Sequence, residues 1–269
     1  MSEAYVEKEG KSKSCFGVSA FILKIVAVIS MIVDHYSVML YPMTFGGKIS
    51  AMPPEAMVKY MHLRIIGRVA FPIFAYMIAE GFIKTKNIKK YIQRMFIFAL
   101  ISTPAYNIAF GQAFIYTQKF LIAFIFGNVM WTFFFALIML CIIKKIEEKV
   151  ENVFLKSLFA VCVVALFYML GDAIKCDWHG FGIALVAIFY VFRKSKIMQI
   201  FFAAAAILLA FFKPFGVNFY AFLGLIPILL YNGKRGKDVR YLFYAFYPVH
   251  LFVFALIRYI MYGVGSLIK

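Results

Sequence analysis

An acid and an imidazole stand side by side inside an oily stretch of this chain. Residues 19–40 (SAFILKIVAVISMIVDHYSVML) are long and apolar enough to span a bilayer, yet they hold Lys24, Asp34 and His35. Ionisable side chains in a spanning helix are costly, and they face a bundle interior or a wet cavity. Histidine exchanges protons near neutral pH. The pair therefore marks a place for proton transfer, either in a reaction or in transport. Adjacent residues on a helix diverge by about 100°, so Asp34 is not expected to orient His35 directly. Asp34 is expected to pair with a cation on another helix while His35 faces the cavity. The plainer alternative is a satisfied core histidine.

Arg64 and Arg68 are spaced i, i+4 and share one helix face. Arginine stays charged when desolvated and offers a planar fork of donors. Two on one face could neutralise Asp34 and still bind a carbonyl or phosphate oxygen; the alternative is snorkelling to headgroups. Glu80 ends the same apolar run, and Lys84, Lys86, Lys89, Lys90, Tyr91 and Arg94 follow it. Such a basic cluster can hold a phosphorylated cofactor through charge-assisted hydrogen bonds, or it can simply set topology. Near the C-terminus Tyr247, Pro248 and His250 form a Tyr-Pro-x-His element, and the proline should kink the helix beside the histidine. Asp177, Trp178 and His179 sit between two other apolar runs. The cysteines Cys15, Cys141, Cys162 and Cys176 are scattered, with neither a disulfide framework nor a metal spacing, so no metal is expected. There is no HExxH, complete P-loop or GxSxG.

These residues must be placed by apolar elements. Of 269 residues, 64% are hydrophobic, whereas soluble domains run about 45–50% apolar; the mean hydropathy is +0.87. The fold class expected is all-α: a polytopic membrane helix bundle. Nine apolar segments can be marked, at 19–40, 63–83, 91–110, 120–143, 153–174, 178–193, 197–212, 218–232 and 241–262. The sixth to eighth are short for full spans. Residues 1–18 read as a polar cytoplasmic tail and 19–269 as one transmembrane domain. The net charge of +17 lies mostly in alternate short loops, after the second, fourth, sixth and eighth segments. By the positive-inside rule this puts the N-terminus in the cytoplasm and the C-terminus outside. The charge is therefore assigned to topology and lipid headgroups, and no nucleic-acid partner is expected. Asp34, His35, Arg64, Arg68, Asp177 and His179 then share the outer level, with His250 nearer mid-membrane.

Several elements together resemble a known family. They are Lys24-Ile-Val-Ala, Met31-Ile-Val-Asp34-His35, and Arg64-Ile-Ile-Gly67-Arg68-Val-Ala-Phe71-Pro72-Ile-Phe74-Ala-Tyr-Met-Ile-Ala-Glu80-Gly81. Thr85, Asn87, Lys90, Tyr91 and Arg94 follow, and Tyr247-Pro248-Val-His250-Leu251 comes last. This pattern resembles the TraX family, named for the pilin N-acetylase of conjugative plasmids, and more distantly other multi-span acyltransferases. Asp177-Trp178-His179-Gly180 departs from the simpler Asp-aromatic-Gly expected there.

The resemblance implies a multi-pass acetyltransferase of the bacterial cytoplasmic membrane, with acetyl-CoA as donor. The acceptor would be an amine or hydroxyl on the far side, in a pilin or other peptide or in a cell-envelope glycan. Asp34, His35, Arg64 and Arg68 would form the catalytic group, with His35 as general base and an arginine on the oxyanion. Glu80, Lys84, Lys86, Lys89, Lys90, Tyr91 and Arg94 would hold the cofactor. Asp177, His179, Tyr247 and His250 would line the substrate cavity. A proton-coupled transporter is the alternative, since the same buried groups suit a proton relay; a non-catalytic membrane scaffold is a third reading.

Overall fold

The computed structural model describes residues 17–110, 126–212, 216–237 and 240–263. Most of the expected polar tail and the start of the 120–143 segment lie outside the described residues. Helices account for nearly all of what is described, and the one β-bridge among these residues joins Val18 to Tyr231.

Local chemistry sets the helix ends. Helix α1 (Ala20–Met39) starts at Ser19, whose hydroxyl accepts from the Ile22 amide. Helix α2 (Pro54–Arg68) opens on a proline, where a missing N–H costs nothing. Helix α3 (Ala70–Lys84) follows after Val69 alone. Pro72 has no N–H for the Arg68 carbonyl, and its ring crowds that carbonyl, so the chain breaks at Arg68 and Val69. Helices α4 (Ile88–Ala109), α5 (Val129–Lys149) and α6 (Val153–Ile174) are each capped by an asparagine side chain: Asn87, Asn128 and Asn152. Helix α7 (His179–Val191), helix α8 (Lys196–Phe211), a 3-10 stretch (Val217–Gly224), helix α9 (Leu225–Leu229) and helix α10 (Arg240–Tyr262) complete the chain.

Helices α3, α5 and α7 form the centre. Almost every residue of α7 from Gly180 to Tyr190 is buried, and Ile73, Leu137, Leu140, Ile183 and Phe189 are sealed from the surface. Helix α6 is the opposite case: apart from Lys156, Ser157 and Asp172 near its ends it is apolar, yet only Phe167 and Gly171 are buried. A largely apolar helix with one buried edge needs an apolar surrounding, which a lipid bilayer provides. The basic ends also gather as antiparallel packing requires. Lys84 donates to the Gly233 carbonyl at 2.9 Å, Lys196 donates to the carbonyls of Leu229 and Tyr231, and Arg193 clasps Glu147 with two bonds of 2.8 and 3.0 Å.

Among the described residues, five stretches are long and apolar enough to cross a bilayer: Ala20–Phe45, Pro54–Lys84, Val129–Lys149, Val153–Ile174 and Leu242–Tyr262. The protein is thus a helical membrane protein. The second stretch starts earlier than the 63–83 segment, because α2 and α3 run on almost continuously. Helix α4 is long but carries Lys89, Lys90 and Arg94 in its first turns and Pro104 inside. Helix α7 has 13 residues, about 20 Å against a hydrocarbon core of about 30 Å. The 218–232 segment is 3-10 followed by one short turn of α-helix rather than a regular span.

Helices α6 and α7 meet through glycine. A Cβ at Gly171 would lie 2.9 Å from both Cα and N of Gly180, and a Cβ at Gly180 would run into the Tyr168 backbone. Gly171→Ala should therefore destabilise the protein by about 1–3 kcal/mol, the usual cost of overpacking. A lowered Tm of the detergent-solubilised protein checks this, and an unchanged Tm contradicts the close approach.

Candidate active site

The site is built around Asp34. On α1 the buried positions Leu23, Ala27, Ser30, Met31, Asp34 and Ser37 form one stripe against the bundle. Asp34 is thereby carried into the interior at 9% exposure. Its Oδ1 accepts from Arg64 Nη1 at 2.6 Å, and its Oδ2 accepts from Arg68 Nη2. Both arginines lie one turn apart at the end of α2, so one carboxylate bridges two guanidinium groups. Gly67 lies between them. A Cβ there would collide with the Asp34 side chain, so only glycine lets α1 and α2 come this close.

Arg68 is held from other sides too. Its Nη1 donates to Asn218 Oδ1 at 3.1 Å, and its guanidinium lies 5.4 Å from the centre of the Trp178 ring. Trp178 stacks on Phe71 at 4.2 Å. With Nη1 and Nη2 taken, the buried Nε–H of Arg68 has no hydrogen-bond partner among the described residues.

Two adjoining cavities meet here. The inner one, about 180 Å³, is lined by Asp34, His35, Arg64, Arg68, Phe110 and Tyr247 among others. The outer one, about 460 Å³, is lined by Asp172, Lys175, His179, Phe211 and Asn218 among others. Arg68, Tyr106, Asp177 and Trp178 belong to both walls. His35 points away from Asp34, as helix geometry demands. Its Nδ1 lies 2.7 Å from Nε2 of His250, and the Phe110 ring edge packs against it. His250 is 6% exposed, and its Nδ1 lies 2.9 Å from the Phe246 carbonyl oxygen.

The turn between α6 and α7 closes the outer side. Lys175, Trp178 and His179 all have positive φ (53°, 61° and 50°), a region that costs L-residues about 1–2 kcal/mol each. The turn is pinned by Thr132 Oγ1, which donates to the Asp177 carbonyl at 2.5 Å, and by the Gly180 amide, which donates to Asp172 Oδ1 at 2.9 Å.

Asp34, His35, Arg64, Arg68, Asp177 and Tyr247 thus converge on one space, with His250 directly behind His35. His179 is exposed and lines the outer cavity alone. Glu80, Lys84, Lys86, Lys89, Lys90, Tyr91 and Arg94 line neither cavity. Glu80 and Lys84 pair with each other at 2.6 Å, and Tyr231 donates to Glu80 at 3.1 Å. Tyr91 is buried against Gly81, with Arg94 over its ring at 5.9 Å, while Lys86, Lys89 and Lys90 are exposed. Lys24 lies over the Phe243 ring at 5.3 Å. Gly67, Tyr106, Phe110 and Asn218 are among the site residues that spacing did not single out. A lone amide side chain at the head of the apolar 218–232 run was the available signal for Asn218.

In the outer turn, burial pushes the Asp177 carboxyl up to about 6, against the opposing pull of Arg68. Its folded value is above the ordinary carboxylate range, so the folded state binds the proton more tightly. The stability this contributes is present at low pH and is lost as pH rises through about 6. Asp177→Asn should therefore flatten the decline in Tm between about pH 4 and pH 6. An identical decline in the variant contradicts this.

Relatives are informative. The TraX protein family matches residues 19–258, which takes in every helix that lines the site. A probable fimbrial assembly protein FimC, serogroup H1, from Dichelobacter nodosus is 30% identical over 250 residues, covering 87% of this chain and 93% of that protein. No solved structure matches the chain. The matched region and this relative together show that the chain belongs to the TraX family.

Proposed function

We propose that this protein is a membrane-embedded acetyltransferase. It moves an acetyl group from cytoplasmic acetyl-CoA to an amine or hydroxyl on the extracytoplasmic side, in a pilin or other peptide or in an envelope glycan. The single observation that carries the reading is the unused, buried Nε–H of Arg68, a residue that lines the His35 cavity. A buried donor without a partner costs about 1–3 kcal/mol. An oxygen that appears at that point, such as the oxyanion of an acyl-transfer intermediate, removes the cost. The guanidinium cannot swing away to find water, because Asp34, Asn218 and Trp178 hold it. Such preorganisation is what makes an electrostatic catalyst effective.

The chemistry follows from the same placement. The acceptor enters through the outer cavity and gives its proton to the cavity-facing nitrogen of His35 as its N or O attacks the thioester carbonyl. The new oxyanion takes the Arg68 Nε–H. The carbon–sulfur bond then breaks, His35 returns the proton to the leaving thiolate, and the acetyl group stays on the acceptor. Family membership and the name of the fimbrial relative support a pilin-related acceptor. We place the N-terminus and the exposed Lys86, Lys89 and Lys90 in the cytoplasm, with these lysines and Arg94 as partners for the phosphates of CoA. The membrane in this reading is the bacterial cytoplasmic membrane.

The test uses the full chain in lipid nanodiscs, acetyl-CoA labelled in its acetyl group, and a short peptide with a free N-terminus or an envelope extract. CoA should raise the Tm by mass action. His35→Ala should lower transfer by about 10²–10⁴, the worth of a general base, without loss of folded protein. Arg68→Lys, which keeps a cation for Asp34 but removes the Nε–H, should lower kcat by about 10²–10³. Full turnover by either variant contradicts the assignment. Proton-coupled solute uptake with no response to CoA would make the protein a transporter instead.

A further inference from the structure

His250 does not line the cavity, yet it touches the residue that does. The protonation pattern of the two rings follows from the atom at the far end of the chain. A backbone carbonyl can only accept, and its two lone pairs can serve the helix and a side chain at once. The Phe246 carbonyl oxygen lies 2.9 Å from His250 Nδ1, so that nitrogen carries the hydrogen. A neutral imidazole has one N–H, so His250 Nε2 is left with a lone pair. His35 Nδ1 lies 2.7 Å from that lone pair, so it must be the donor. The remaining lone pair of the system then falls on His35 Nε2.

We propose that His250 is a positioning residue that locks His35 in the Nδ1–H form, so that Nε2 stands ready as the proton acceptor. The geometry of the rings fits this role. The His35 and His250 rings are parallel within 5°, Phe246 stacks on His250 within 3°, and Phe110 packs against His35, so neither imidazole turns freely. Asp34 cannot do the same task from the neighbouring position, because both its oxygens are committed to arginine. A neutral orienting group also suits a site that already holds two guanidinium charges. When His35 takes a proton at Nε2, its Nδ1–H stays donated to His250 Nε2, while His250 keeps its own Nδ1–H on the Phe246 carbonyl. Returning the proton from Nε2 restores the starting form, and no atom or charge is left over.

The kinetic arm of the test rests on the acetyl-transfer reading above; the spectroscopic arm does not. The chain has four histidines, so the full-length protein labelled with ¹⁵N-histidine and held in lipid bilayers gives a readable spectrum. His35 is assigned by its loss in His35→Gln. The expected result is a protonated Nδ1 and a bare Nε2 on His35, the reverse of the form that free neutral histidine favours. His250→Leu should return His35 to the Nε2–H form and lower kcat about 10²-fold or more, with KM for acetyl-CoA unchanged, since a base in the wrong tautomer loses its whole contribution. His250→Gln, whose Oε1 reaches the place of Nε2, should keep the Nδ1–H form and most of the activity. An Nε2–H form of His35 in the unaltered protein overturns the inference, as does an unchanged tautomer in His250→Leu. Should His250→Leu fail to fold, the unaltered protein and His250→Gln decide the question. The expected tautomer without any acetyl transfer would uphold the positioning role of His250 and sink only the proposed reaction.

Discussion

A carboxylate buried in an apolar helix without a partner costs several kcal/mol, and removing one partner from such a group is more damaging than never placing it there. Asp34 is such a group, and its two oxygens are met by two guanidinium groups from one face of α2. Much of the surrounding structure serves that meeting. Pro72 ends α2 where Arg68 must project. Gly67 keeps the surface of α2 bare so that the carboxylate can reach between the two arginines. Asn218 and Trp178 brace Arg68 from elements that come much later in the chain.

The net charge of this cluster of three is +1, and that remainder is what a reacting or bound anion would meet. A carboxylate shared by two arginines also has both its oxygens engaged in holding them. In the proposed reaction the proton-transfer role falls to His35 on the next position of the same helix, about 100° around, where a second and electrically neutral set of contacts holds it. One turn of α1 therefore holds the two guanidinium groups of α2 through Asp34 and carries His35 on a separate face. The tight turn before α7, with its positive-φ residues, brings Asp177 and Trp178 to the boundary between the two cavities. Strain of that kind persists when the surroundings over-determine it, and Thr132 and Asp172 do so here.

Much of the helical organisation could be read from the chain, because lipid-facing helices must be apolar along their whole length. The 153–174 segment and α6 share the same bounds for that reason. The pairing of Asp34 with arginine was readable from cost alone, since a buried acid needs a cation and Arg64 and Arg68 were spaced to provide one. The contact between His35 and His250 was not, because it joins residues 215 positions apart and depends on how α1 and α10 pack. The basic residues after Glu80 looked like one group by spacing, but a helix start at Ile88 turns Tyr91 inward and leaves Lys89 and Lys90 outward. The shortness of α7 was visible in its length; that it forms the buried centre of the bundle was not, since a buried helix and a lipid-facing one are equally apolar.

The central claim is spatial: a thioester carbonyl comes to rest between His35 Nε2 and Arg68 Nε in the inner cavity. The most direct measurement is a structure of the full chain in a lipid nanodisc with S-acetonyl-CoA, which keeps a carbonyl but cannot give up an acyl group. The account predicts that carbonyl oxygen within about 2.7–3.2 Å of Arg68 Nε, its neighbouring carbon facing His35, and the nucleotide on the side of Lys86 and Lys89. An analogue seated elsewhere, with the inner cavity empty and His35 out of reach of it, would contradict the account.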